Sequence, residues 1–237
     1  MSDPVVIRVP GPAELHLSTR SGRVTVVAED RADVVIESGA PSHIDSDATG
    51  RVALASAHHG SSRLEVRCPT GSDLSIGTLS GHVELQGQFG DVRITTISGH
   101  IAVDRADAID VRSVSGHIQV GRCSGRCRLR TKSGYTQVES AGDAAVSTVS
   151  GHVRLSETTG DVSVKSASGA VDLGACGKGD VAVQTLSGSV RVALPEGVRP
   201  RARLRSLSGR PRCDCPPGQD CEISVQSLSG KIEIVPA

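Results

Sequence analysis

Residues 78–99 read Thr78-Leu79-Ser80-Gly81-His82-Val83-Glu84-Leu85-Gln86-Gly87-Gln88-Phe89-Gly90-Asp91-Val92-Arg93-Ile94-Thr95-Thr96-Ile97-Ser98-Gly99. Val83 and Leu85 alternate with His82 and Glu84, and after the turn Val92 and Ile94 alternate with Arg93 and Thr95. Period-2 alternation of this length predicts two short strands, each with one buried face. The segment opens and closes on the same Ser-Gly step. Gly after Ser allows φ > 0 at a corner where a side chain would clash.

Working outward, the motif [S/T]-x-S-G occurs ten times, beginning at Thr19, Thr78, Thr96, Ser113, Thr131, Thr148, Ser166, Thr185, Ser206 and Ser227. From Ser80 to Ser168 its step is 17 or 18 residues, and it then lengthens to 19, 21 and 21. Each repeat carries the two alternating runs, as in Ile101, Val103, Ile109 and Val111 or Val171, Leu173, Val181 and Val183. Two short strands cannot bury a core alone, so the repeats must stack on one another. The expected fold is all-β: a right-handed parallel β-solenoid (β-helix) of about ten two-strand coils of 17–21 residues. At ~4.8 Å per coil the rod would be roughly 50 Å long. The Ser or Thr two places before each Ser-Gly has inward parity, so its hydroxyl is expected to bond to backbone or to its neighbours. A single domain over 1–237 is expected, with residues 39–61 as an inserted, non-repetitive excursion. Aliphatics at offsets 0, 2, 9 and 11 from Val83 do not fit the six-residue spacing of hexapeptide acyltransferases.

Composition narrows the function. The 26 Lys+Arg balance 26 Asp+Glu, and Phe89 and Tyr135 are the only aromatics. A neutral chain without stacking platforms is not expected to bind nucleic acid. No apolar run is long enough to insert directly into a membrane. Seven cysteines, an odd number, and an opening M-S-D-P-V-V-I-R-V-P without signal-peptide features lead us to expect a cytoplasmic location. The chain has no Asn and hence no N-glycosylation acceptor.

The recurrence T-x-S-G-x-[VI]-x-[LV] followed by G-D-V-x-[IV] resembles the bacterial β-strand-repeat family of unknown function, of adhesin-like or toastrack type. The resemblance covers about residues 13–237. It implies a β-solenoid and roles around envelope stress and surface structures. It implies no catalytic residues.

Repetition itself argues against catalysis, since a nucleophile or base acts from one place. The ten Ser-Gly serines read as structural, and Asp91 and Asp161 fall in G-D turns. His82, His100, His117 and His152 share one outward position, with Tyr135 at the missing step. A surface stacking ladder is expected there. The chemical alternative is a strip in which neighbouring imidazoles converge on Zn²⁺ or Ni²⁺. No Asp, Glu or Cys recurs beside them, so neither a metal site nor a cofactor is expected. Cys213, Cys215 and Cys221 lack the spacing of common zinc sites, and with Cys127 they read as core filling.

The expected function is that of a non-enzymatic scaffold or protein-interaction module. The alternative is an adhesin-like or envelope-stress-related surface or polysaccharide-binding protein. The expected partners are the chain itself, as an end-to-end dimer or filament, and an unidentified protein. Ile232 and Ile234, in the last inward strand, are expected to leave an open apolar end. Arg201, Arg203 and Arg205, which alternate with Ala202 and Leu204, are expected to form an outer basic face.

Overall fold

The computed structural model describes residues 4–38, 43–47, 50–56, 63–177 and 179–236. The described chain is all-β, without a helix, and its strands are assigned to one open, non-closed sheet. Two compact units are present, Met1–Gly121 and Arg122–Ala237. The strands are β1 (Val5–Arg8), β2 (Glu14–Glu29), β3 (Asp33–Ser38), β4 (His43–Ser46), β5 (Arg51–Ser56), β6 (Arg63–Pro69) and β7 (Asp73–Thr158). They continue with β8 (Val162–Ser168), β9 (Val171–Cys176), β10 (Val181–Ser187), β11 (Val190–Leu194), β12 (Pro200–Ser206), β13 (Arg212–Cys213), β14 (Cys221–Ser229) and β15 (Ile232–Pro236). The long run β7 holds several repeats, because the chain keeps ladder pairing through its corners.

Within each unit the repeats pair in parallel and in register, like residue against like. In the first, Val24 and Val26 of β2 face Val83 and Leu85 of β7. In the second, Val162 and Val164 of β8 face Val181 and Val183 of β10. The alternation assigned the interior correctly: Val83, Leu85, Val92, Ile94, Ile101 and Val103 are all at most 3% exposed. Burial of each such side chain contributes about 1.5–3 kcal/mol. The turns add an inward residue that alternation does not reveal, among them Phe89, Ala106, Cys123, Ala141 and Cys176, all buried.

The Ser-Gly corner has two causes. Gly99 has φ +142° and Gly188 has φ +135°, in the region that favours glycine. A Cβ on either would also overlap the carbonyl oxygen of the corner glycine stacked against it, Gly81 or Gly169. Several of the preceding hydroxyls bond to the backbone as expected, whereas Thr148 Oγ1 and Ser227 Oγ are buried without a partner. Thr96 Oγ1 donates to the Ser98 carbonyl at 3.1 Å, Thr131 to Ser133 at 2.9 Å and Thr185 to Ser187 at 3.2 Å. In the G-D turns, the carboxylate of one repeat accepts from the backbone of the next. Asp91 N–H donates to Asp73 Oδ1 at 2.7 Å, and Asp180 N–H to Asp161 Oδ1 at 2.9 Å.

Spatial order departs from chain order in both units. In the first, β2 lies between β7 on one side and β5 with β6 on the other. The stretch 39–61, expected to be non-repetitive, therefore contains two strands, β4 and β5. Val52 and Leu54 of β5 are buried against β2. The remaining positions 39–42, 48–49 and 57–61, with His58 and His59, lie outside the described residues. β3 and β1 add antiparallel strands beyond β6.

In the second unit the last repeat is wedged inward. β14 lies between β10 and β12, and β15 lies between β11 and β13. Ile232 and Ile234 are thus fully buried, which corrects the expectation that they form an open end. The uncovered edge of this unit is formed by β12 and β13, within residues 200–213. The physical reason is the ranking of the repeats. Ile223, Val225, Ile232 and Ile234 gain most from being covered on both sides. A repeat offering Ala202, Leu204 and Cys213 loses least at the rim.

Candidate interaction surfaces

The x position of the [S/T]-x-S-G motif is the residue type that sequence reasoning overlooked. It sits beside the corner on the outward side. In the first unit Leu79, Ile97 and Val114 are 49%, 51% and 41% exposed. In the second, Val149, Leu186, Leu228 and Leu207 are exposed as well, Leu207 by 82%. In the second unit the register of the adjoining Ser and Thr positions puts Val149, Ala167, Leu186, Leu228 and Leu207 on successive strands, and in the first Leu79, Ile97 and Val114 line one groove. The signal was present in sequence, as a hydrophobic residue between two hydroxyls. Each row edges an open groove of about 690 Å³. In the second unit the far wall of the groove is polar: Lys165, Gln184, Gln226 and Arg205. Their positions are in register from β8 through β10 and β14 to β12.

The predicted histidine ladder is formed in the first unit. The rings of His82 and His100 stack at 4.7 Å and 18°, and those of His100 and His117 at 5.3 Å and 27°. In the second unit Tyr135 stacks on His152 at 5.3 Å, and His152 Nε2 lies 3.0 Å from Asp172 Oδ2. Partial burial, followed by repulsion from His82 and His117, holds the His100 pKa below its ordinary value. Among the described residues, no three His, Cys, Asp or Glu side chains are grouped so as to hold one.

The cysteines divide by place. Cys127 is buried, as expected, and its thiol pKa is pushed well up by its hydrogen bond with Cys123 and by burial. Burial pushes Cys68 up to about 11. Cys221 is buried too. Cys213 does not fill the core: it faces Ile234 in register but is exposed, because its repeat is the rim.

The predicted basic face is where the sequence placed it. Arg201, Arg203 and Arg205 are exposed on β12, which pairs with β14 alone among the described strands. Arg203 meets Glu222 of β14 at 3.0 Å. The alternating positions Ala202 and Leu204 are exposed and half-buried, while their partners Ile223 and Val225 are fully buried.

Parallel in-register repeats, the stacked corner glycines and the carboxylate-bearing turns recur through both units. The family model described as Toastrack DUF4097 matches residues 44–234. The chain belongs to the Toastrack family. That family is bacterial and of unknown function, so the Toastrack assignment names a fold and carries no chemistry. A crystal structure of a “putative adhesin” from Parabacteroides distasonis ATCC 8503 is 12% identical, with TM-score 0.48, over 99% of this chain and 96% of that one. Another “putative adhesin”, from Bacteroides fragilis NCTC 9343, is 12% identical with TM-score 0.44 over 98% and 96%. A “putative cell adhesion protein” from Clostridium sporogenes ATCC 15579 is 9% identical with TM-score 0.24 over 99% of each chain. Comparison with the curated proteins finds no match.

Proposed function

We propose that this Toastrack chain is a non-enzymatic interaction module. In this reading it is a right-handed parallel β-solenoid of about ten coils, and it holds a repeated outer surface against a second copy or a protein partner. The observation that carries the proposal is the run of half-exposed aliphatics at the same corner position, Leu79, Ile97 and Val114 in the first unit and Val149, Leu186 and Leu228 in the second, where Ala167 stands between Val149 and Leu186. Contiguous apolar surface of this kind, rimmed by hydroxyls, marks association sites in soluble proteins. A second copy is a suitable occupant, because a row meeting its two-fold mate finds side chains at its own spacing. Self-association is thereby moved from Ile232 and Ile234 to the rows.

The balanced charge and scarcity of aromatics favour a protein surface over nucleic acid as partner. All seven cysteines are free thiols, in keeping with a reducing, cytoplasmic location. The acidic side chains of Asp73, Asp143 and Asp161 in the turns accept backbone hydrogen bonds, a structural role that favours the non-enzymatic reading.

A second reading, an adhesin-like or envelope-stress-related polysaccharide-binding protein, is favoured by the grooves, whose hydroxyl, amide and aliphatic walls suit a linear glycan. A glycan panel read for both retention and turnover tests the assignment. Neither retention nor turnover is expected. Retention without turnover moves the assignment to the second reading, and turnover of any glycan contradicts the module.

A further inference from the structure

The rim strand β12 offers a different surface from the rows. Among the described strands its backbone is paired on one side only, by β14, which leaves its other side for another strand. Its inward positions, Ala202 and Leu204, lack the cover that Ile223 and Val225 enjoy one strand further in. Its outward positions are Arg201, Arg203 and Arg205. Of these only Arg203 is in an ion pair among the described residues, with Glu222 at 3.0 Å.

The neighbour already in place shows what such a strand accepts. β14 lays Glu222, Ile223, Ser224 and Val225 beside Arg201, Ala202, Arg203 and Leu204, parallel and in register. It presents acid or hydroxyl outward and aliphatic inward. We propose that β12 is a docking edge for an extended segment of another protein that alternates acidic and aliphatic residues, added as a further strand. Main-chain hydrogen bonds would supply affinity and the alternating side chains specificity. The arginines act as a filter as well as an attraction. Two β12 edges brought together would set arginine against arginine, so the edge rejects its own copy while accepting an acidic strand. The inference rests on the reading of the chain as an interaction module, but it uses a surface that reading does not need.

The test uses the full chain and two labelled peptides, one with a Glu-Ile-Glu-Val-Glu core and one with a Lys-Ile-Lys-Val-Lys core, followed by fluorescence anisotropy. The acidic peptide is expected to bind and the basic one not. Arg201→Glu with Arg205→Glu, both at exposed positions, should weaken the acidic peptide by about tenfold and transfer binding to the basic one. Failure of the acidic peptide to bind, or binding indifferent to the charge reversal, overturns the proposal and leaves the aliphatic rows as the module's surface. Self-association of the unmodified chain that the same reversal abolishes also overturns it, because the occupant would then be a second copy.

Discussion

The Cα of Gly99 stands over the carbonyl of Gly81 so closely that a side chain on Gly99 would overlap that oxygen. Substitution there meets two penalties at once, since Gly99 also has φ +142°. Gly99→Val should destabilise the chain by at least the ~1–3 kcal/mol that an unfavourable backbone conformation costs. Thermal melting checks this, and an unchanged Tm would show that the stacked corner is misassigned.

Ile232 is fully buried between Val190 and the rim repeat. Ile232→Lys should therefore cost stability, on the order of 3–5 kcal/mol for an unpaired buried charge. Arg205→Ala, at the exposed rim, should stay within about 0.5 kcal/mol of the unmodified chain. Denaturant titration distinguishes the two. Near-wild-type stability of Ile232→Lys would return the apolar end to the last repeat.

Thiol reactivity maps the same rim. Cys68, Cys123, Cys127, Cys176 and Cys221 are buried, and burial or a neighbouring thiol raises the pKa of Cys68, Cys127, Cys176 and Cys221. Cys213 is exposed, and the half-buried Cys215 has its pKa raised by burial, Cys213 and Asp214. A maleimide reagent under native conditions should modify Cys213 first, Cys215 more slowly and the other five only on unfolding. Mass spectrometry reads the sites. Early modification of Cys221 would contradict the wedged position of β14.

His100 links stability to pH. Its folded pKa is below the ordinary 6.5 because burial and then His82 and His117 disfavour the imidazolium. Between the folded and unfolded values the unfolded chain binds more protons. The stabilising contribution is complete above pH 6.5 and declines as pH falls through the depressed folded value. The melting temperature should drop on acidification through that window, by less in His100→Gln. A rise in Tm across it would contradict the depressed His100 pKa and the stacking that goes with it.

The repeats themselves were legible because burial repeats with period 2. Val83, Leu85, Val92 and Ile94 needed only alternation, and Gly99 needed only its place after Ser98. The histidine row followed from register alone. Other features were hidden for physical reasons. A repeat written in chain order does not say which repeat it stacks upon, so the wedging of β14 beside β10 could not be read from Ile223 or Ile232. Strand β5 carries Val52 and Leu54 without a Ser-Gly corner, and it was therefore read as excursion. Leu79, Ile97 and Leu186 stand next to a corner, where parity resets and alternation no longer tells inside from outside.

Sedimentation velocity of the unmodified chain, from low to high micromolar concentration, beside Leu186→Lys with Leu228→Lys, asks whether the aliphatic row holds two copies together. The mass of the unmodified chain should rise with concentration above that of one chain, and the doubly substituted chain should stay monomeric and folded. An unmodified chain that remains a monomer throughout, or association that survives charges in the row, would contradict self-association through the row.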